Sequence, residues 1–155
     1  MLASLNAQRE HILGDLDGLS DDDLRRPVLP SAWTALGLVQ HLALDVERFW
    51  FRTVLAGESP DPDDFTAPNG WIASPETPAA AVLDLYRREI ERADAIIMRT
   101  SLDTAPAWWP DFFGSWRLEN LREVMLHVIT ETAIHAGHLD AVRELIDGRQ
   151  WLVTG

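Results

Sequence analysis

The chain has 155 residues, 25 Asp+Glu against 13 Lys+Arg, and a formal net charge of −12; every cation is an arginine and there is no cysteine. An acidic chain without a cationic cluster excludes phosphate-backbone binding. Missing lysine excludes Schiff-base chemistry, and missing cysteine excludes disulfides, thiolate ligands and a thiol nucleophile within the chain.

The length suits a single domain over 1–155, and 46% hydrophobic residues is ordinary for a globular protein. Apolar runs are broken by charge well before the roughly 18 residues of a membrane span. The first ten residues, Met1 to Glu10, show neither a basic start nor a cleavage pattern. The expectation is a cytoplasmic protein without a signal peptide.

Leu5, Ile12, Leu16 and Leu19 fall at helical spacing and predict a first helix from Ser4 to Leu19. His11 is read as a surface or boundary residue of that helix. The acidic run Asp21 to Asp23 is either a helix start or a solvated turn, and Pro27 and Pro30 prevent continuation. A second helix begins at the N-cap Thr34 and runs to Ala56. It is apolar around most of its circumference, as a central helix would be. Residues 57–76 form an acidic, Pro-rich connection long enough for a lid or a crossover, with Trp71 as a lid candidate. Thr77 and Pro78 serve as N-cap and first residue of a third helix to Ser101. Its inner stripe is Val82, Tyr86, Ile90, Ala93 and Ile97, with Arg87, Arg88, Glu91 and Asp94 facing away. The loop that follows carries Trp108, Trp109, Phe112, Phe113 and Trp116. That density of rings predicts burial against a pocket mouth, a dimer partner or the end of the bundle. A fourth helix runs from Leu118 to Asp147, with Gly148 as its C-cap. No strand-period segment appears, so the fold class is all-α, an up-down-type four-helix bundle with a long connection between helices 2 and 3.

The fourth helix holds the chemistry. Glu131 and His135 are four residues apart and share a face with Leu121, Val124, Val128, Leu139, Val142 and Ile146. A carboxylate directed at a core must be paired or bind a metal. A third ligand is available from helix 2 in His41, at the edge of its apolar face. Three N/O ligands leave an open position, the catalytic kind of site, and they suit zinc, nickel, iron or manganese. His127 and His138 lie about 40° and 20° from Glu131 on the helical wheel. Each is a candidate partner for a ligand, an acid–base group, a fourth ligand or a structural residue. Asp45, one turn beyond His41, is assigned to Arg48 rather than to metal. Arg48 and Arg52 either hold carboxylates of a substrate or cofactor or form local salt bridges. Trp108 and Trp109 are candidates for the wall of that pocket.

The Trp33-Thr34 helix start, the His41-Leu42 step and the run Glu131-Thr132-Ala133-Ile134-His135-Ala136-Gly137-His138 resemble the DinB-like superfamily of metal-binding four-helix bundles. The similarity extends over nearly the whole chain and is greatest to the branch related to mycothiol-dependent maleylpyruvate isomerase. Many members of the superfamily carry His-x-x-x-His on the last helix; here Glu131 occupies the first position, as in that branch. The resemblance implies the ligand set His41, Glu131 and His135, with zinc or nickel as the metal. It also implies a low-molecular-weight thiol of the mycothiol type as cofactor. The isomerase has a further C-terminal domain that helps bind thiol and substrate, whereas this sequence stops at Gly155. Thiol-transfer ancestry is therefore expected, without maleylpyruvate as substrate.

Two functions follow. The first is a metal-dependent thiol transferase acting on an electrophilic small molecule. The second is a non-catalytic metal- or ligand-binding stress-response bundle. The expected partner is a small molecule, with no nucleic acid and no membrane, and the aromatic loop suggests a homodimer.

Overall fold

In a computed structural model the chain is described for residues 1–59 and 70–151, and among these every regular element is helical. The middle of the expected lid or crossover lies outside the described residues, as do residues 152–155.

Helix α1 (Leu2–Leu16) buries Leu5, Ile12 and Leu16. It stops before Leu19 because Asp17 turns to extended backbone and returns its N–H to Gly14. The acidic run is a helix start: α2 (Asp21–Arg25) is capped by Ser20, whose hydroxyl accepts the Asp23 N–H at 3.1 Å. Three aspartates in its first turn suit the positive end of the helix dipole.

Helix α3 (Ala35–His41) starts where the sequence predicts, with Thr34 Oγ1 accepting the Gly37 N–H at 3.0 Å. It continues directly into a π-helical segment, Leu42–Leu55, closed by the Ala56 N–H on Phe51 O at 3.1 Å. Leu42, Val46, Trp50, Phe51 and Val54 are all buried, as expected of a central helix. The wide turns change which residues share a face. Positions aligned on a 3.6-residue wheel drift apart under i→i+5 bonding. The expected His41, Asp45, Arg48 and Arg52 stripe therefore divides between two neighbouring helices.

Helix α4 (Ala79–Arg99) follows Pro78, which occupies the N-cap rather than the first helical position. Val82, Tyr86, Ala93 and Ile97 are buried as expected. Asp94 does not face away: it accepts from Arg9 of α1 at 2.7 Å. A 3₁₀ turn at Asp111–Phe113 precedes α5 (Leu121–Asp147). The last helix begins at Leu121 rather than Leu118 because Asn120 Oδ1 caps the Glu123 N–H at 3.1 Å. It ends as predicted, with Gly148 in the left-handed region at φ 80°.

Side-chain pairings fix the relative directions. His11 meets Asp140, and Arg143 donates to the Asp15 and Asp17 carbonyls, so α1 and α5 run in the same sense. His41 faces Glu131 while Trp50 packs on His127, so the π-helical segment runs against α5. A buried ion pair ties α1 to the central helix, with Arg9 Nη2 2.6 Å from Glu47 Oε2. A second buried carboxylate, Glu89 of α4, takes Arg48 at 3.1 Å and Arg52 at 3.0 Å. These bonds meet the desolvation of both glutamates, which would otherwise be prohibitive.

Candidate metal centre

Helix periodicity puts Glu131 and His135 one turn apart on α5, and the antiparallel central helix brings His41 opposite them. Glu131 Oε1 lies 3.2 Å from His135 Nε2 and 3.9 Å from His41 Nε2. One donor atom from each of the three falls within 4.8 Å of the others. Tetrahedral bonds of 2.0–2.1 Å place neighbouring donor atoms roughly 3.3–3.4 Å apart; the Glu131–His135 separation matches that, while His41 stands further out at 3.9 Å. Glu131 is less enclosed than its stripe suggests, with its side chain 35% exposed against 7% for His135. The carboxylate stands at the rim of the core, not inside it.

Each histidine is oriented from behind. Asp45 Oδ2 lies 2.8 Å from His41 Nδ1, which corrects the pairing of Asp45 with Arg48. The Asp45 carboxylate occupies the Nδ1 side of the ring, which leaves Nε2 as the nitrogen directed at Glu131. That nitrogen is buried and has no hydrogen-bond partner. His138, although exposed on α5, sets its Nδ1 3.4 Å from His135 Nδ1. Burial, with His41 adding to it, holds the His135 imidazole below the usual histidine value. A neutral ring with a free lone pair is the form that binds metal.

The indole of Trp71 lies flat on His41, ring centres 4.3 Å apart and planes within 18°. Trp33 is 6.3 Å from Trp71 and 6.2 Å from His138. These two tryptophans, with Arg25, Thr34 and Ala73, line a cavity of about 500 Å³ beside the trio. Its volume is within the range of small-molecule sites.

An orphaned, buried imidazole nitrogen opposite a carboxylate has the donor chemistry of a metal ligand set. The profile described as mycothiol-S-transferase matches residues 1–148. The chain belongs to this family. It is DinB-like, as the motif resemblance implied, and membership carries a mycothiol S-transferase-like function on a small-molecule substrate. No curated protein and no solved structure matches the chain. Among the described residues no helix is long and apolar enough to cross a membrane.

In this mycothiol-S-transferase family member the other candidate residues separate into groups. Arg48 and Arg52 reach Glu89 on α4, and Arg52 also holds Glu58 at 2.7 Å. These bonds join the central helix to α4. His127 sits against Trp50 at 4.6 Å and Trp116 at 5.6 Å between ring centres. Burial lowers its affinity for a proton, opposed by the Glu131 charge. The aromatic loop stacks on itself and on Trp50, one turn of α5 beyond Glu131. Its expected burial is partial: Trp109 and Phe113 are half-buried, while Trp108, Phe112 and Trp116 are exposed. Stacking against neighbouring rings removes only one face of each from water. The residues missed by sequence reading are Asp45 as the partner of His41 and Trp71 as its stacking surface. The first carried an i,i+4 signal; the second carried none, because it depends on how the connection folds back.

Proposed function

We propose that the protein is a metal-dependent transferase that joins a mycothiol-type thiol to an electrophilic small molecule, with His41, Glu131 and His135 as the metal ligands. The observation that carries this reading is the buried, unpartnered Nε2 of His41, held toward Glu131 by the bond from Nδ1 to Asp45. Zinc and nickel both suit the N₂O donor set.

A divalent metal in this place would lower the pKa of a coordinating thiol into the neutral range. The chain's own groups do the rest. Asp45 and His138 fix the two imidazoles, so little reorganisation is needed on binding. His138, whose Nδ1 lies behind the His135 ring, serves as its orienting partner, and His127 on the preceding side of Glu131 is the candidate base for the thiol proton. Trp33 and Trp71 wall the neighbouring cavity and would exclude water from one side of a thiol bound there. In the transfer the sulfur lone pair forms a C–S bond, and the electrophile's leaving group or opened epoxide oxygen carries away the electron pair. The thiol proton passes to a base or to that oxygen.

The four long helical segments are read as one DinB-like up-down-type bundle over 1–155. The same-sense pairing of α1 and α5 departs from a strict up-down order. A cytoplasmic location is proposed, with a homodimer contact at the exposed edges of Trp108, Phe112 and Trp116.

The test is thiol-dependent consumption of an epoxide or chlorinated aromatic probe. Turnover that requires both mycothiol and a divalent metal, and is lost in Glu131→Ala, supports the reading. Metal binding without turnover on any such probe returns the protein to the non-catalytic binder. Turnover that survives Glu131→Ala removes the metal from the reaction.

A further inference from the structure

A second set of metal-type donors lies outside the trio, where α1 packs on α5. His11 Nε2 is 2.9 Å from Asp140 Oδ1 and 3.4 Å from Asp15 Oδ2. One donor atom from each lies within 4.8 Å of the others. Asp15 is only 4% exposed. Its Oδ2 is buried without a hydrogen-bond partner and is aimed at the His11 ring. Two carboxylates and one imidazole meeting at this spacing have the charge and donor chemistry of a divalent-cation site.

We propose that His11, Asp15 and Asp140 form a second divalent-cation site, selective for zinc and metals of similar N/O preference, that clamps the first helix to the last. The charges of His11 and Arg143 offset the two carboxylates only in part, and Arg143 makes no direct bond to them. Arg143 is bonded to Asp147 at 2.7 Å and to the Asp15 and Asp17 carbonyl oxygens, not to these carboxylates. Burial and then the Asp140 charge push the Asp15 carboxyl up to about 6, a tension that a dication relieves.

The surroundings give a way in and a cover. A cavity of about 320 Å³ bounded by Gln8, His11, Ala133, Gly137 and Asp140 opens beside the cluster. It leaves space for water to complete the coordination sphere. The Trp151 indole stacks on His11 with ring centres 5.3 Å apart and planes within 16°. The ring rests against Gly14, where a Cβ would overlap it. Trp151 thereby shields one face of the imidazole and holds its rotamer. His135 and Asp140 are five residues apart, about 140° around the helix. The two clusters use different faces of α5, and each can be removed without the other.

The experiment is equilibrium dialysis of metal-stripped full-length protein against zinc, with zinc and protein measured together. The variants are Glu131→Ala, Asp140→Asn, Asp15→Asn and the Glu131→Ala/Asp140→Asn pair. Asp140 is half-buried and both Asn variants keep the side-chain shape, so folding can be verified by circular dichroism. The proposal predicts about one zinc ion per chain in Glu131→Ala, abolished by adding Asp140→Asn. Zinc should also raise the Tm of Glu131→Ala and leave the pair unchanged. Should the trio not bind metal, the wild type holds one zinc that Asp140→Asn or Asp15→Asn removes. Zinc content insensitive to both Asn variants, or absent from folded Glu131→Ala, overturns the second site.

Discussion

Asp45 Oδ2 sits 2.8 Å from His41 Nδ1, and that bond decides which nitrogen of the ring faces Glu131. Partners of this kind are worth about 10–100-fold in metal affinity. Asp45→Ala is therefore expected to weaken zinc binding at the trio about 10–100-fold without changing the helical content. Competition with a chromophoric chelator in an Asp140→Asn background checks it. Unchanged affinity would mean that Asp45 does not set the ring.

Gly37 lies in α3 where the backbone of Trp71 crosses it, and a Cβ there would overlap the Trp71 carbonyl. Elsewhere in a helix Gly→Ala stabilises by about 1 kcal/mol. Backbone offers no flexible tip to move aside, so the overlap prevails. Gly37→Ala is expected to destabilise by about 1–3 kcal/mol and to release Trp71 from His41, seen as a shift in tryptophan emission together with a lower denaturation midpoint. A more stable variant with unchanged emission would contradict the docking of residues 70–72.

The Arg9–Glu47 pair is closed to water on both sides, with side chains 3% and 1% exposed. Removing one member of such a pair leaves a buried charge and costs about 3–5 kcal/mol. Arg9→Met should lose that much in urea denaturation. Arg87→Met, which breaks an exposed contact to Asp84, should lose under about 1 kcal/mol.

His127 links stability to pH. Burial holds its imidazole below the ordinary 6.5, while Glu131 on the same helix pulls upward and the packed faces of Trp50 and Trp116 bring no charge. Its native pKa is thus below the unfolded one. The contribution to stability is full above pH 6.5 and declines as the pH falls from there through the native value. In metal-free protein, His127→Phe is expected to flatten that part of the denaturation profile. A profile as steep as the wild type's would remove His127 as its source.

Much of this was legible in the sequence because it is local. Thr34, Asn120 and Gly148 bound helices through bonds spanning three or four residues, and the trio follows from i,i+4 spacing plus one histidine on a neighbouring helix. Even so, the apolar spacing alone puts the start of α5 at Leu118, three residues before the helix that Asn120 caps. The wheel loses its register where the backbone departs from 3.6 residues per turn, yet Arg48 and Arg52 take the salt-bridge alternative open to them in the sequence, both reaching Glu89. His11 reads as a boundary residue in the sequence because its nearest partner, Asp140, is 129 positions away on α5. Its burial is set by helix pairing, which no local pattern encodes. Trp71 likewise depends on the path of a connection.

His41, Glu131 and His135 are proposed to hold one metal ion. Elemental analysis of tag-free Asp140→Asn protein reloaded with zinc, beside the same protein carrying Glu131→Ala or His41→Ala, tests it most directly. The account predicts about one zinc per chain in the first and none in the other two. Zinc retained in either double variant, or none in the first, would contradict it.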